Sequence, residues 1–247
     1  MTQPATLEVE ALGKSFGGLQ VFRDVGFKLA PCDRLGVIGP NGAGKTTLIN
    51  LLGGKLAPTA GRILLDGHPV GGLPLHHLAR RGVVRSFQQT NNFKGCTVRE
   101  NLARAIRFSG APAATWAQLD PLLGQFSLAA RLDDRSDELP YGLQKMLGLL
   151  LAYATRPRVL LLDEPAAGLE RQERALVDLF VAAAQADHGC SVLIVEHDMD
   201  LVRRLCPRII VLDGGQVLAE GAPETVLARQ DVIDAYMGVV DDADEAA

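Results

Sequence analysis

The chain has 247 residues, of which 47% are hydrophobic and 22% are charged, with a formal net charge of −4. This length suffices for one large folded domain, and the mixed charges include no basic block of the kind that binds nucleic acid. Charged residues interrupt every apolar run before the roughly 18 residues that a membrane span needs. The first residues lack the charged and apolar regions of a signal peptide, so we expect a cytoplasmic protein that reaches a membrane only through a partner.

The first part of the chain predicts antiparallel β-structure. Residues 7–11 alternate between apolar and polar side chains, and residues 22–29 form a second half-buried run. Three later runs are almost wholly apolar, which predicts strands buried on both faces, as in a parallel sheet covered by helices. These runs are residues 35–38, 159–162 and 192–195. Each ends in polar residues, at the edge where open α/β sheets bind ligands.

Strand patterns disappear between about residues 97 and 155. Thr97 and Glu100 have the spacing of a capping box, which predicts a helix from this point through Phe108. Further helical patterns surround residues 116–126 and 143–154. We therefore predict a mainly helical segment inserted into the α/β core.

Residues 39–46 form the pattern G-x-x-x-x-G-K-[ST] between an apolar run and a helical run. Glycines let backbone N–H groups converge on phosphate oxygens, and the following helix contributes the positive end of its dipole. Lys45 is expected to reach the β- and γ-phosphates, and the Thr46 hydroxyl to bind Mg²⁺. A chance match would occur in about one chain of this length in a hundred. The residues predicted to bind nucleotide here are Gly39, Pro40, Asn41, Gly42, Ala43, Gly44, Lys45, Thr46 and Thr47.

These patterns predict the α/β fold of a P-loop NTPase core, with a mostly parallel sheet and helices on both faces. An N-terminal antiparallel β subdomain and an inserted helical subdomain at about residues 97–155 complete the prediction. We expect one domain over residues 1–240, followed by a solvated acidic tail at residues 241–247.

Asp163 and Glu164 directly follow the apolar run of residues 159–162. A carboxylate at a strand end can bind Mg²⁺, directly or through water, and the next can polarise a water molecule that attacks a phosphate. The alternative is that both acids only cap a strand end. The phosphate-binding loop in the same chain favours the metal and catalytic roles.

With these motifs in this order, the chain resembles the ATPase subunits of ABC transporters over nearly its whole length. Residues 39–46 are similar to the Walker A motif of that family, and residues 160–164 to Walker B. Residues 139–144 stand where the family has its LSGGQ signature, and residues 167–170 match its D-loop. The resemblance implies that two such subunits, like or unlike, bind ATP and Mg²⁺ between them and hydrolyse ATP.

The resemblance also implies roles for single residues. Glu164 occupies the position of the catalytic base, and His197 that of the switch histidine. Gln88 matches the Q-loop glutamine that senses Mg²⁺ and water, and Phe16 matches the aromatic residue that stacks on adenine, with Val21 nearby. Taken alone, Phe16 is more often a core residue, and His197 is more often a structural histidine.

The signature segment departs from the family pattern at one position. Pro140 replaces a serine whose hydroxyl the family directs at the γ-phosphate on the partner subunit. Gly142 keeps a backbone N–H that can serve instead, and the following helix keeps its N-terminus. The strength of binding across the dimer is therefore left open. The residues predicted to contact ATP across the dimer are Pro140, Tyr141, Gly142, Leu143 and Gln144.

Several segments resemble the ATPases of branched-chain amino-acid importers in particular. They are residues 15–19, 85–88, 93–102, 139–142, 163–169, 196–199 and 232–238. This resemblance implies uptake of branched-chain or other hydrophobic amino acids, or of a related small solute such as urea, an amide or an aromatic acid. The implied partners are integral membrane permeases and, indirectly, a periplasmic solute-binding protein, with the chain on the inner face of the plasma membrane.

Two other functions remain open. An exporter or a lipid-extracting ABC system would use the same ATP site. The stretch between Asn101 and Leu139 is shorter than in many members with this Q-loop, which favours a relative with different permeases. A non-transport ABC ATPase acting on DNA or ribosomes is disfavoured, because the sequence has one cassette, no long charged coiled-coil insertion and no basic tract.

Overall fold

The computed structural model of the chain describes residues 4–86, 92–109 and 112–244. The strands in these ranges are β1 (Leu7–Phe16), β2 (Leu19–Leu29), β3 (Arg34–Ile38), β4 (Ala60–Leu65), β5 (His68–Pro69), β6 (Val83–Ser86), β7 (Val159–Asp163), β8 (Ser191–Val195), β9 (Arg208–Asp213) and β10 (Gln216–Gly221). The helices are α1 (Lys45–Leu52), α2 (Leu75–Arg80), α3 (Val98–Ser109), α4 (Pro112–Gln125), α5 (Tyr141–Ala154), α6 (Arg171–His188), α7 (Met199–Leu205), α8 (Pro223–Leu227) and α9 (Gln230–Asp244). None of these described helices is long and apolar enough to cross a membrane.

The N-terminal strands form an antiparallel sheet in the order β2-β1-β4-β5. The predicted antiparallel β-structure is confirmed, and buried and half-buried residues alternate from Leu7 to Glu10. Ala11 departs from the alternation, because it is exposed, has a φ of 47° and lies where the pairing with β2 shifts register between Val9 and Leu12. Such a β-bulge bends the strand and changes which face a residue occupies.

The second sheet has the order β10-β9-β3-β8-β7-β6. Neighbouring strands from β9 to β6 run parallel, and β10 pairs antiparallel with β9. The apolar runs predicted at residues 35–38, 159–162 and 192–195 lie in β3, β7 and β8, each flanked by a strand on both sides. The predicted mostly parallel sheet is therefore confirmed. Because these strands are parallel, the segments that follow β3, β7 and β8 leave the sheet at the same edge.

Hydrophobic cores cover both faces of this second sheet. Leu161 and Leu193 pack with the first sheet and with α1, whereas Leu160, Leu162 and Ile194 pack with residues of helices α3 to α6. Successive residues of a strand point to opposite faces. Because both faces of the sheet are covered, all residues of β7 and β8 are buried. Burial on both faces explains why these strands are continuously apolar in the sequence.

The segment between residues 97 and 155 is mainly helical, as predicted. At its start, the Glu100 backbone N–H donates to Thr97 Oγ1 at 3.1 Å, and the Thr97 N–H donates to Glu100 Oε2 at 2.8 Å. The helix that this capping box opens, α3, ends at Ser109, one residue beyond the predicted end. The β-structure described in this segment is a bridge between Thr97 and Arg135. The limits of the helical subdomain stay a prediction.

The C-terminal helix α9 continues to Asp244 and so includes the first four residues of the predicted acidic tail at 241–247. That this tail is solvated stays a prediction. Val232 is buried, and Tyr236, one helical turn later, packs against the core. These two anchors hold the start of the helix, and the hydrogen bonding of the helix propagates beyond them.

Candidate nucleotide-binding site

Residues 39–44 connect β3 to α1, as the glycine-rich motif predicts. Gly44 is the N-cap residue of α1 with a φ of 93°, and Gly42 has a φ of 83°; both values favour glycine. A Cβ on Gly44 would lie 2.7 Å from ring atoms of Phe22, whereas a Cβ on Gly42 would meet nothing within 4 Å. Packing therefore requires glycine at position 44, and the loop is open at Gly42.

The side chain of Lys45, the first residue of α1, turns back over this loop. Its Nζ donates to the carbonyl oxygens of Gly39 at 2.6 Å and Pro40 at 2.9 Å. Burial lowers the pKa of Lys45, and the negative charge of Glu164 acts in the opposite direction. The loop thus combines an ammonium group with the N-terminus of a helix, an arrangement that can bind phosphate. Of the other predicted residues, Asn41, Gly42 and Thr46 are exposed, Gly44 and Thr47 are half-buried, and Gly39, Pro40 and Ala43 are buried.

Asp163 and Glu164 occupy different environments at the end of β7. Asp163 is the last residue of the strand, its side chain is 3% exposed, and its Oδ2 accepts a hydrogen bond from Arg85 Nη2 at 2.7 Å. The Glu164 side chain is 24% exposed, and the φ of Glu164 is 46°, so the chain turns at this residue. The buried carboxylate belongs to the residue predicted to bind metal, and the accessible one to the residue predicted to polarise water.

Glu164 and His197 lie together at the ends of the neighbouring strands β7 and β8. The Glu164 backbone N–H donates to the Val195 carbonyl at 2.9 Å, and Glu164 Oε1 lies 3.8 Å from His197 Nδ1. Glu196 is buried, and its carboxylate accepts hydrogen bonds from the backbone N–H groups of Ala166 at 3.0 Å and His197 at 3.1 Å. Glu196 and His197 line a cleft beside the turn that follows Glu164. Glu196 therefore holds the backbone at Ala166, two residues after Glu164, and the backbone of His197 itself.

A buried lysine of α5 supports the same turn. Lys145 Nζ donates to the carbonyl oxygens of Glu164 at 2.9 Å and Ala167 at 2.5 Å. Burial lowers the pKa of Lys145, while Glu196, Glu164 and Asp163 raise it. Neither Lys145 nor Glu196 is among the site residues predicted from the sequence. A signal for Lys145 was present, because it is the one charged residue between positions 139 and 154, and a buried charge needs partners.

The signature segment leads into α5, with Pro140 as the N-cap residue. Pro140 and Tyr141 are exposed, Leu143 and Gln144 are half-buried, and Gly142 is buried. The Gln144 side-chain amide donates to the backbone carbonyl of Leu139 at 2.8 Å. The most accessible part of the signature is therefore the turn at Pro140 and Tyr141.

The signature segment packs closely against residues just before α6 and in its first turn. A Cβ on Gly142 would lie 2.0 Å from Glu173 Oε1, and a Cβ on Gly168 would lie 2.8 Å from a ring atom of Tyr141. The Glu173 carboxylate also accepts a hydrogen bond from the Glu170 backbone N–H at 2.9 Å. Any side chain at position 142 must therefore displace an acid that caps α6.

The remaining predicted residues are Phe16, Val21 and Gln88. Phe16 is 44% exposed at the end of β1, and Lys14 Nζ lies 4.7 Å from its ring centroid. The ring is thus available for stacking and is not part of the core. Val21 lies beside the loop, since a Cβ added to Gly44 would lie 3.2 Å from Val21 Cγ1. Gln88 lies outside the described residues.

Comparisons with known proteins agree on one family. A family model described as ABC transporter matches residues 22–167, and a model described as branched-chain amino acid ATP-binding cassette transporter matches residues 216–242. The chain is 40% identical over 254 residues to the high-affinity branched-chain amino acid transport ATP-binding protein LivG of Escherichia coli K12. It is 38% identical over 260 residues to the corresponding protein BraF of Pseudomonas aeruginosa. Each alignment covers 96% of this chain and 99% of the relative.

A solved structure supports the same relationship. The ADP conformation of MJ1267, an ATP-binding cassette of an ABC transporter, aligns with a TM-score of 0.82 and 27% identity, over 96% of this chain and all of that one. The family model spans more than half of this chain and includes the glycine-rich loop, the signature segment and the two acids at the end of β7. The chain therefore belongs to the ABC transporter family, as an ATP-hydrolysing subunit.

Proposed function

We propose that this chain hydrolyses ATP to power the uptake of branched-chain or other hydrophobic amino acids through partner permeases. The observation that carries the ATPase part is the arrangement of Lys45, Asp163, Glu164 and His197 after parallel strands, at one edge of the sheet. Amino-acid uptake is supported by the described functions of LivG and BraF and by the match at residues 216–242. These similarities favour an importer over an exporter, a lipid-extracting system or a non-transport ATPase.

ATP is proposed to bind with its phosphates in the loop of residues 39–46 and its adenine on the exposed ring of Phe16. The loop fits this role, because its N–H groups precede the helix α1 and no side chain obstructs it at the exposed Gly42. Thr46 and Asp163, with Gln88, would hold Mg²⁺, which would neutralise charge on the phosphate oxygens.

Hydrolysis is proposed to depend on the side chain of Glu164. Its carboxylate accepts a hydrogen bond from the water that attacks the γ-phosphorus, as the bond from phosphorus to the oxygen of the leaving ADP breaks. Lys45 stabilises the charge that develops on the phosphate oxygens, and His197 holds the γ-phosphate from the side of β8. Hydrogen bonds from the Glu164 backbone N–H to Val195 and from Lys145 to the Glu164 carbonyl hold the backbone of Glu164. The direction in which its side chain leaves the backbone is therefore fixed before ATP binds.

Two such subunits, like or unlike, are proposed to close around ATP, with Gly142 of the partner subunit at the γ-phosphate. Higher affinity of ATP for the closed dimer would drive the closure, and hydrolysis would reverse it. We further propose that a permease helix docks on the helical segment near Phe93, which follows the predicted Q-loop in the sequence. Phe93 is 48% exposed, and the Arg104 guanidinium lies 5.1 Å from its ring centroid. The subunit would then work on the inner face of the plasma membrane, with a periplasmic solute-binding protein as an indirect partner.

Measuring amino-acid uptake tests this function. Deletion of the gene is expected to remove most high-affinity uptake of radiolabelled leucine, and the wild-type gene to restore it. A gene carrying Glu164→Gln should be expressed and fail to restore uptake. Unchanged leucine uptake in the deletion strain, together with loss of urea or aromatic-acid uptake, would reassign the solute. Loss of efflux with normal uptake of all these solutes would contradict the importer assignment.

Replacing Lys145 with methionine is expected to lower both stability and turnover. The carbonyls of Glu164 and Ala167 would each lose a buried hydrogen bond, which costs about 1–3 kcal/mol per unsatisfied group. Three nearby acids would also lose a compensating positive charge. Urea unfolding and steady-state ATPase assays measure the two effects. Lys145→Arg keeps the charge and donors and should lose less of both. Unchanged turnover in Lys145→Met would show that this bond does not position Glu164.

A further inference from the structure

Arg85 of β6 forms a buried polar contact that links three elements of the site. Its side chain is 7% exposed. Nη2 donates to Asp163 Oδ2 at 2.7 Å, and Nη1 donates to Asn50 Oδ1 at 2.7 Å. A single guanidinium group therefore joins β6, the end of β7 and α1, the helix that follows the phosphate-binding loop.

The environment of Arg85 holds its guanidinium plane in place. The planar group donates in a fixed fork, so two partners on different nitrogens set its orientation. Its stem passes the C-cap of α1, where a Cβ on Gly53 would lie 3.3 Å from Arg85 Cδ. Because the guanidinium is fixed on one side by Asn50, it orients the Asp163 carboxylate on the other.

The contact engages one oxygen of the Asp163 carboxylate. Within the described residues, hydrogen bonds reach Oδ2, and none reaches Oδ1. Oδ1 is therefore the oxygen left for a metal ion or a metal-bound water. Carboxylate oxygens are ligands that Mg²⁺ prefers, and groups that hydrogen-bond a metal ligand orient it and tune its affinity.

We propose that Arg85 is a positioning residue for the metal site, which holds Asp163 by Oδ2 so that Oδ1 faces Mg²⁺; this inference rests on the proposed ATPase function. The strand that carries Arg85 ends at Ser86, two positions before Gln88 in the sequence. A displacement of β6 would therefore also displace the carboxylate of Asp163. Arg85 thus connects the strand before the predicted Q-loop to the metal ligand.

A purely stabilising ion pair is the competing explanation. Breaking a buried pair lowers stability whatever its role, whereas the pair itself is weak evidence for stability, because desolvation offsets much of the attraction. The Mg²⁺ requirement, meaning the Mg²⁺ concentration that half-saturates the enhancement of ATP binding, separates the two explanations. A purely structural pair would not affect this concentration.

The test compares nucleotide binding by folded variants with and without Mg²⁺. In Arg85→Gln, the Mg²⁺ concentration that half-saturates the enhancement of ATP binding is expected to rise about 10–100-fold, the usual loss when an outer partner of a metal ligand is removed. The Kd for ATP in EDTA should stay unchanged. Asn50→Ala keeps every charge and should raise the Mg²⁺ requirement less, in the same direction.

Arg204→Gln is the matched control, since it breaks an arginine–aspartate pair with Asp178 at the surface, and its Mg²⁺ requirement should equal that of the wild type. An unchanged or lower Mg²⁺ requirement in folded Arg85→Gln would overturn the proposal. Should Arg85→Gln fail to fold, Asn50→Ala decides, and an unchanged requirement there overturns it. If wild-type protein bound ATP without any effect of Mg²⁺, the proposed ATPase site itself would be wrong.

Discussion

Changing Glu164 to glutamine is expected to lower the rate of ATP hydrolysis at least about a hundredfold, because groups that polarise or deprotonate a reacting water contribute about 10²–10⁴-fold. Glutamine keeps the shape and hydrogen-bonding reach of the side chain and removes its negative charge. The backbone bonds to Val195 and Lys145 do not involve the carboxylate. ATP affinity should therefore remain close to that of the wild type, and an ATP-bound dimer should accumulate.

Steady-state turnover, equilibrium ATP binding and analytical ultracentrifugation of the same preparation check this result. Glu224→Gln, which changes an exposed acid in α8, is the matched control and should behave as the wild type. Turnover retained in Glu164→Gln would remove Glu164 from the catalytic role. Lost turnover without a dimer would keep that role, and would point to the proline at position 140 or to a missing unlike subunit.

The parts of this site that the sequence could predict are those encoded by neighbouring residues. The turn at Gly42 and Gly44 depends on local φ values, and the acids at 163 and 164 follow a strand marked by its own apolar run. A pattern of this kind is local, so periodicity and motif spacing suffice to find it.

The supporting residues depend on contacts that spacing does not encode. Arg85 meets Asp163 across 78 positions of the chain, and Glu196 binds the backbone of Ala166 across 30. The proximity of these residues can be predicted only when the order of the parallel strands in the sheet is known. The bulge at Ala11 was missed for a different reason, because a β-bulge is a local conformation that hydrophobic alternation does not reveal.

Replacing Lys45 with alanine is expected to reduce ATP turnover about 10²–10³-fold, as loss of a preorganised donor to developing charge typically does. The ammonium group lies in the loop, 2.6 Å from the Gly39 carbonyl and 2.9 Å from that of Pro40. It is therefore positioned before the nucleotide binds. Lys45→Arg keeps the positive charge, but its planar head cannot reproduce the contacts of an ammonium group.

The two variants separate charge from geometry. If charge alone mattered, Lys45→Arg would retain most of the ATP affinity and turnover; we expect it to lose most of the turnover and only part of the affinity. Lys55→Ala removes an exposed lysine just after α1 and should leave both unchanged. Calorimetric ATP binding, ATPase assays and thermal unfolding should be measured together, because Lys45→Ala also leaves two carbonyl groups without their donor. Wild-type binding and turnover in a folded Lys45→Ala variant would show that ATP binds elsewhere, since no other proposed residue supplies a cation to this loop.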